Sequence, residues 1–388
     1  MDPVLKPRQL RVALAVFETG SALRAAERVG LSAPAALGAL SGLEAALGEA
    51  LFTRTARGMA PTRAGTLFCP RIAAALAELK AAETALHAKR TFALHLDHVH
   101  LRALAALLEA ESAAAAARAL GLAQPSLLRT ARELEALAGV PLWERHGRGL
   151  GPNWQARLLG QYAGRLHAEL RLGLDELAEA RGGRAGRLLV GALPLARTAW
   201  LPAALIATLA LYPEAEMDIL DGPYDEQRAA LLSGRTDAIL GPLRPPTPEL
   251  EQEELFADPL GIMVRPGHWF TGGAGLDRLD WILPPTGTPS RRAFDDFLAA
   301  QGHPPPPRVI GCNSLITIRA LLAATDHAAV LSTRQVAGDL AAGTLRMAGP
   351  ALPGTAQPVG LAWRAGYRPS GLGEAFLQAA RLTAPLHG

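Results

Sequence analysis

Apolar side chains recur every three or four residues through the N-terminal half of the chain, with Leu37, Leu40, Leu43 and Leu47 forming one clear stripe. That spacing places them on one face of a helix and predicts amphipathic helices that bury one side. The pattern changes after residue 187. Short apolar runs at 188–191, 216–220 and 237–241 alternate with helical stretches at 200–211 and 226–233, the latter closed by Gly234. Strands alternating with helices predict a parallel α/β sheet, whose ligands bind beyond the carboxyl ends of the strands.

The helical half contains a repeat. Residues 10–65 laid over 101–156, at a constant shift of 91, give 21 identities in 56 positions without a gap. The matches include Ser21/Ser112, Gly30/Gly121, Pro34/Pro125, Glu44/Glu135, Gly48/Gly139, Arg54/Arg145, Gly58/Gly149 and Pro61/Pro152. Glycines, prolines and charged residues in one register mark a duplicated unit rather than shared composition. In each copy a first helix (7–18; 101–109) is followed by Ser21 or Ser112, placed as an N-cap for a short alanine-rich helix. Gly30 or Gly121 ends that helix, and a proline in its first turn opens the next. Leu51-Phe52, or Leu142-Trp143, then starts a β wing carrying Arg54 and Arg57, or Arg145 and Arg148. Two helices joined by a tight glycine-containing turn are the helix-turn-helix unit, whose second helix can enter a DNA major groove. Long helices are expected over 62–90 and 153–181, and the glycines of 182–186 read as a hinge.

Charge alone says little, because the net charge is only +3. Cys69 and Cys312 are the two cysteines, too few for a zinc framework and placed in different expected domains. The N-terminus has no basic start followed by an unbroken apolar core, and no stretch reaches membrane-spanning length without charges or prolines, so a cytoplasmic protein is expected. His95, His98 and His100 crowd together but read as a solvated boundary rather than a metal site. Asp295-Asp296 are adjacent and diverge on a helix, and Glu251, Glu253 and Glu254 are expected in a proline-rich loop. Neither group suggests acid–base catalysis. No Walker-type or dinucleotide glycine loop is present, and no enzyme is expected.

The string Ala25-Ala26, Gly30-Leu31-Ser32, Pro34, Leu43-Glu44, Leu47-Gly48, Leu51-Phe52-Thr53-Arg54, Gly58, Pro61-Thr62 and Ala64-Gly65 resembles the LysR-type transcriptional regulators. Copy two repeats it with Ala116-Ala117, Leu122-Ala123-Gln124-Pro125, Leu134-Glu135, Gly139, Leu142-Trp143-Glu144-Arg145 and Gly149. The resemblance implies a multidomain fold. Two winged helix-turn-helix units with long linker helices precede an α/β, periplasmic-binding-protein-like effector domain of two lobes. The expected boundaries are 5–65 and 97–152 for the winged units, 66–93 and 153–182 for the linker helices, and 186–388 for the effector domain. Lobe I then takes 186–258 and 355–388, and lobe II takes 259–354, with crossovers at 259–266 and 357–363 and a last helix at 373–382. In the family the linker helix pairs with that of a second subunit.

The implied function is DNA-binding regulation of transcription under control of a small-molecule effector, without cofactor, metal or membrane. A homodimer or homotetramer is implied. The opposing reading is a co-regulator whose helix-turn-helix units mainly build protein contacts. The copies differ where such a unit meets base edges. Copy two offers Gln124, Ser126, Arg129 and Thr130, with Ser112, Arg145 and Arg148 near the phosphates. Copy one offers Ala33, Ala35, Ala36, Leu37, Gly38 and Ala39, with Ser21, Ser32, Arg54 and Arg57 beside them. Copy two is therefore expected to be the main reader and copy one a degenerate unit, against an alternative of two working readers on a long composite operator. Expected effector contacts are Leu195, Ala196 and Thr198 in lobe I, and Thr286, Thr288, Ser290, Asn313 and Ser314 at helix starts in lobe II. The run 281–289 is similar to a subgroup that includes sugar-responsive regulators. The effector is left open between a sugar and a small organic acid.

Overall fold

The caps shared by the two copies build the same small fold twice. The computed structural model describes residues 5–146 and 149–385. Copy one consists of α1 (Pro7–Thr19), α2 (Ala22–Arg28) and α3 (Ala33–Leu47), then the wing β1 (Phe52–Thr55) and β2 (Gly58–Pro61), and finally the long α4 (Arg63–Ala85). A short α5 (Phe92–His95) leads into copy two. There α6 (His98–Glu109), α7 (Ala113–Leu120) and α8 (Gln124–Ala138) precede the wing β3 (Trp143–His146) and β4 (Gly149–Pro152), and α9 (Trp154–Ala180) ends it. Ser21 Oγ accepts from Arg24 N, and Ser112 Oγ from Ala115 N, as N-caps. Gly48 and Gly139 close α3 and α8 in the left-handed conformation that glycine adopts without strain.

Glu44 and Glu135 explain their place in the repeat. Each carboxylate accepts from two backbone N–H groups at the start of its own wing, Leu51 and Phe52 in copy one and Leu142 and Trp143 in copy two. Thr62 and Asn153 likewise cap α4 and α9 while their side chains donate to Ala50 O and Pro141 O. The copies do not keep separate cores. One cluster of buried side chains runs from Leu10 through Phe68 and Leu101 to Leu177.

Three details differ from the sequence expectation. Helix α6 starts at His98, because Asp97 caps it and the Asp97 N–H donates to His100 Nδ1. His98 and His100 thus serve a helix start, while His95 ends α5 and is exposed. The first linker helix stops at Ala85 instead of continuing to residue 90, and the glycine hinge is shorter than 182–186, because Ala185 already opens a strand. The chain divides into two compact units near Gly186.

The C-terminal unit begins with β5 (Ala185–Ala192), α10 (Trp200–Leu211), β6 (Glu214–Asp221), α11 (Tyr224–Leu232), β7 (Ala238–Pro242) and β8 (Leu250–Asp258). The chain crosses through β9 (Leu260–Val264) to β10 (Asp280–Leu283), α12 (Pro289–Ala300), β11 (Val309–Gly311), α13 (Leu315–Ala324), β12 (His327–Ser332), α14 (Ala337–Ala341) and β13 (Arg346–Met347). It returns through β14 (Gln357–Arg364) to α15 (Gly371–Thr383). Two five-stranded sheets result, ordered β6-β5-β7-β14-β8 and β11-β10-β12-β9-β13. Each has its own core, one around Trp200, Phe256 and Phe376, the other around Trp281, Phe294 and Val330. Burying each such side chain contributes about 1.5–3 kcal/mol. Glu251, Glu253 and Glu254 lie in β8, not in a loop. Glu251 accepts from Trp363 Nε1 and Gly366 N, and Glu253 pairs with Arg381, so these two have structural roles, and Glu254 is exposed.

Candidate DNA-reading face and effector cleft

Helix α8 presents the polar face that its sequence promised. Gln124, Ser126 and Arg129 are exposed and Thr130 is half-buried. Thr130 Oγ1 donates to Ser126 O, and Arg129 makes only an exposed 3.7 Å approach to Glu133. Such a pair contributes at most about 1 kcal/mol and does not fix the Arg129 side chain. The equivalent end of α3 is less open and has nothing comparable to offer. Ala33 and Ala35 are half-buried where Gln124 and Ser126 are exposed. A groove of about 390 Å³ lined by Lys6, Arg8, Gln9, Asp97 and His98 runs along Ala35 and Ala39.

The other expected DNA contacts divide. Ser21, Ser32 and Ser112 spend their hydroxyls on capping α2, α3 and α7. Arg54 and Arg57 are exposed on the first wing, and no carboxylate pairs with them among the described residues. Arg145 sits on β3, while Arg148 lies outside the described residues.

The two linker helices pair with each other inside the chain. Arg71 on α4 is buried between Glu169, at 2.9 Å, and Glu176 on α9. Arg165 on α9 meets Glu78 on α4 at 2.7 Å. Burial works against the Arg71 charge, but hydrogen bonds and charges from Glu176 and Glu169 outweigh it and hold its pKa above the usual value. The family expectation was a partner helix from a second subunit; here the duplicated copy supplies it.

In the C-terminal unit, the loops after β5 and β7 and those after β10 and β11 stand at the carboxyl ends of parallel strands. Leu195 is half-buried and Thr198 exposed after β5, whereas Ala196 is fully buried in the lobe core, leaving only its backbone for a ligand. Thr288 caps α12 and Ser314 caps α13, with Thr286, Asn313 and Ser314 exposed and Ser290 half-buried.

Two arginines that are not among the expected contacts give this region positive charge. Arg244 follows β7, with its guanidinium over the Tyr224 ring at 4.4 Å and Nη1 donating to Pro242 O. Burial lowers its pKa, and the positive charge of Arg292 on α12 acts in the same direction. Arg292 belongs to the other lobe, and Tyr224 and the Asp225 carboxylate act on Arg244 in the opposite direction. Arg244 stands beyond the end of the expected strand at 237–241, where sheets of this kind take their ligands.

Two winged helix-turn-helix units and a two-lobed α/β domain define a ligand-responsive DNA-binding protein. Residues 7–66 and again 98–157 match the bacterial regulatory helix-turn-helix protein, lysR family, and residues 181–384 match the LysR substrate binding domain. The chain belongs to the LysR family of transcriptional regulators. It is 33% identical over 365 residues to the HTH-type transcriptional regulator GalR of Pseudomonas putida, covering 92% of each chain. It is 30% identical to PcaQ of Agrobacterium fabrum, over 70% of this chain and 89% of that one. The fold is similar to that of an OxyR variant from Pseudomonas aeruginosa (TM-score 0.57, 22% identity, 75% of this chain and 96% of that one). It is also similar to CbnR, solved in complex with its target DNA (TM-score 0.53, 24% identity, 74% and 99%). Among the described residues no single helix is long and apolar enough to cross a membrane.

Proposed function

We propose that this regulator reads its operator chiefly through copy two, with Gln124 and Arg129 at base edges and Ser126 and Thr130 beside them. The observation that supports this most is the contrast between an exposed polar face on α8 and a half-buried alanine face on α3. Arg54 and Arg57 of copy one then serve phosphates, which position a protein without specifying sequence. The effector is a small organic acid rather than a neutral sugar, held between the lobes by Arg244 and Arg292 against the N-terminal turn of α12, where Thr286, Thr288 and Ser290 lie. Binding it across the cleft changes lobe closure and, through that, the DNA complex. The effector domain is also the part that self-associates. Ile206, Leu209 and Leu211 on α10, Ile219 and Leu220 on the edge strand β6, and Val309 and Ile310 on the edge strand β11 are large apolar side chains left exposed. Such assembly in the cytoplasm presents more than one chain to the promoter.

Calorimetric titration with a panel of mono- and dicarboxylates and matched neutral sugars tests the effector assignment. A carboxylate is expected to bind, and Arg244→Gln to weaken it by about ten- to a hundredfold, the range for a charge-assisted hydrogen bond. A sugar that binds equally well to the wild type and to Arg244→Gln overturns the assignment.

A further inference from the structure

The two copies dock on one another reciprocally. As residue numbers fall along α4 from Glu78 through Arg71 to Phe68, their partners on α9 rise from Arg165 through Glu169 to Gly173. The helices are therefore antiparallel. Ala75 and Leu166, midway along that contact, occupy the same position in the two repeats, and both are buried. The segment after α4 reaches copy two, where Lys89 Nζ donates to Ala136 O and its backbone N–H to Ala138 O, at the end of α8. The end of α9 reaches copy one, where Arg181 approaches Glu49, just past the end of α3, at 3.5 Å. Equivalent contacts made in both directions give the copies an approximate two-fold relation. A two-fold relation between helix-turn-helix units is the arrangement with which dimeric DNA-binding proteins set two recognition helices in successive major grooves.

The pairing is specific for unlike helices. The Phe68 ring fills the space left by Gly173, where an added Cβ comes within 2.7 Å of it. In a pair of two α4 helices, Ala82 replaces Gly173 and meets that ring. In a pair of two α9 helices, Tyr162 replaces Arg71 and leaves Glu169 buried without this arginine, a costly arrangement.

We propose that one chain is by itself a complete and asymmetric DNA-reading unit. Its α4 and α9 pair in cis, so a single chain covers two adjacent half-sites, and only the half-site under α8 is read in sequence. This rests on the DNA-binding reading above. The operator segment taken by one chain is then a composite of one specific half-site and one tolerant half-site, not a palindrome.

Two single variants of the full chain, Phe68→Ala and Gly173→Leu, test it, together with the double variant and the two single variants co-expressed. The measurements are thermal unfolding and affinity for DNA. Gly173→Leu is expected to lower Tm by about 5 °C through overpacking and to weaken DNA binding about tenfold or more. The double variant, which exchanges a large and a small side chain across the contact, restores both. The co-expressed pair does not, because each chain keeps its own mismatch. Restoration in the co-expressed pair shows pairing in trans and overturns the proposal, as does an unchanged Tm in Gly173→Leu. The Tm pattern holding while the wild type binds no DNA would instead sink the DNA-binding reading, and the operator claim with it.

Discussion

Arg71 and Glu169 lie on the linker helices of different copies, yet their side chains meet at 2.9 Å with each almost wholly out of solvent. A buried charge held this way is stable only while its partner remains. Arg71→Ala leaves two glutamates facing each other and is expected to cost about 3–5 kcal/mol in chemical denaturation. Arg28→Ala, which removes an exposed pair with Glu18, is expected to cost at most about 1 kcal/mol. Equal effects from the two would contradict the role given to the α4–α9 contact.

Asp258 ends β8 at the point where the chain crosses between lobes, and it is buried. Burial pushes its carboxyl above the ordinary value of 3.8, against the Ser332 hydroxyl and the Arg334 guanidinium 3.6 Å away. A carboxyl raised in the folded state binds more protons folded than unfolded, so folding loses stability as pH rises from 3.8 through the raised value. Asp258→Asn removes that loss. The variant should match the wild type in acid and exceed it increasingly toward neutral pH, as measured by denaturation at several pH values. A gap that narrows with rising pH would mean that the carboxylate is stabilised in the fold.

The two cysteines should react in sequence. Cys69 is fully buried in the N-terminal core and its thiol is pushed up to about 12 by burial, whereas Cys312 is half-buried. The thiolate is the reactive form. A colorimetric thiol reagent at pH 8 should modify one cysteine in the native protein and the second only on unfolding. Rapid loss of both thiols would contradict the packing around α4.

Much of this architecture was legible in the sequence because the duplication doubled each signal. Ser21 and Ser112 are caps, Gly48 and Gly139 end helices, and Glu44 and Glu135 tie each reading helix to its wing; each pair repeats at one spacing for one local reason. The intrachain pairing was not legible. Helical period shows that α4 and α9 have apolar faces, but Arg71 and its two glutamates are about a hundred residues apart, and nothing local marks them as neighbours. The proposed effector site was half legible for the same reason. Helix caps such as Thr288 and Ser314 announce themselves locally, whereas Arg244 and Arg292 acquire meaning only when two lobes bring them together.

The pairing also decides how the central claim must be tested. Deleting copy one would strip α4 from α9 and expose the buried glutamates, so point variants on the DNA-facing surfaces are the cleaner probe. The decisive measurement is a footprint on the DNA flanking the gene, with salt-dependent affinity, for the wild type, Gln124→Ala/Arg129→Ala and Arg54→Ala/Arg57→Ala. The first variant is expected to lose sequence-selective protection, each lost base contact costing about 1–3 kcal/mol. The second should keep the protected sequence but bind more weakly, with a shallower salt dependence. Unchanged protection in the first variant, with binding abolished in the second, would contradict the account and make copy one the reader.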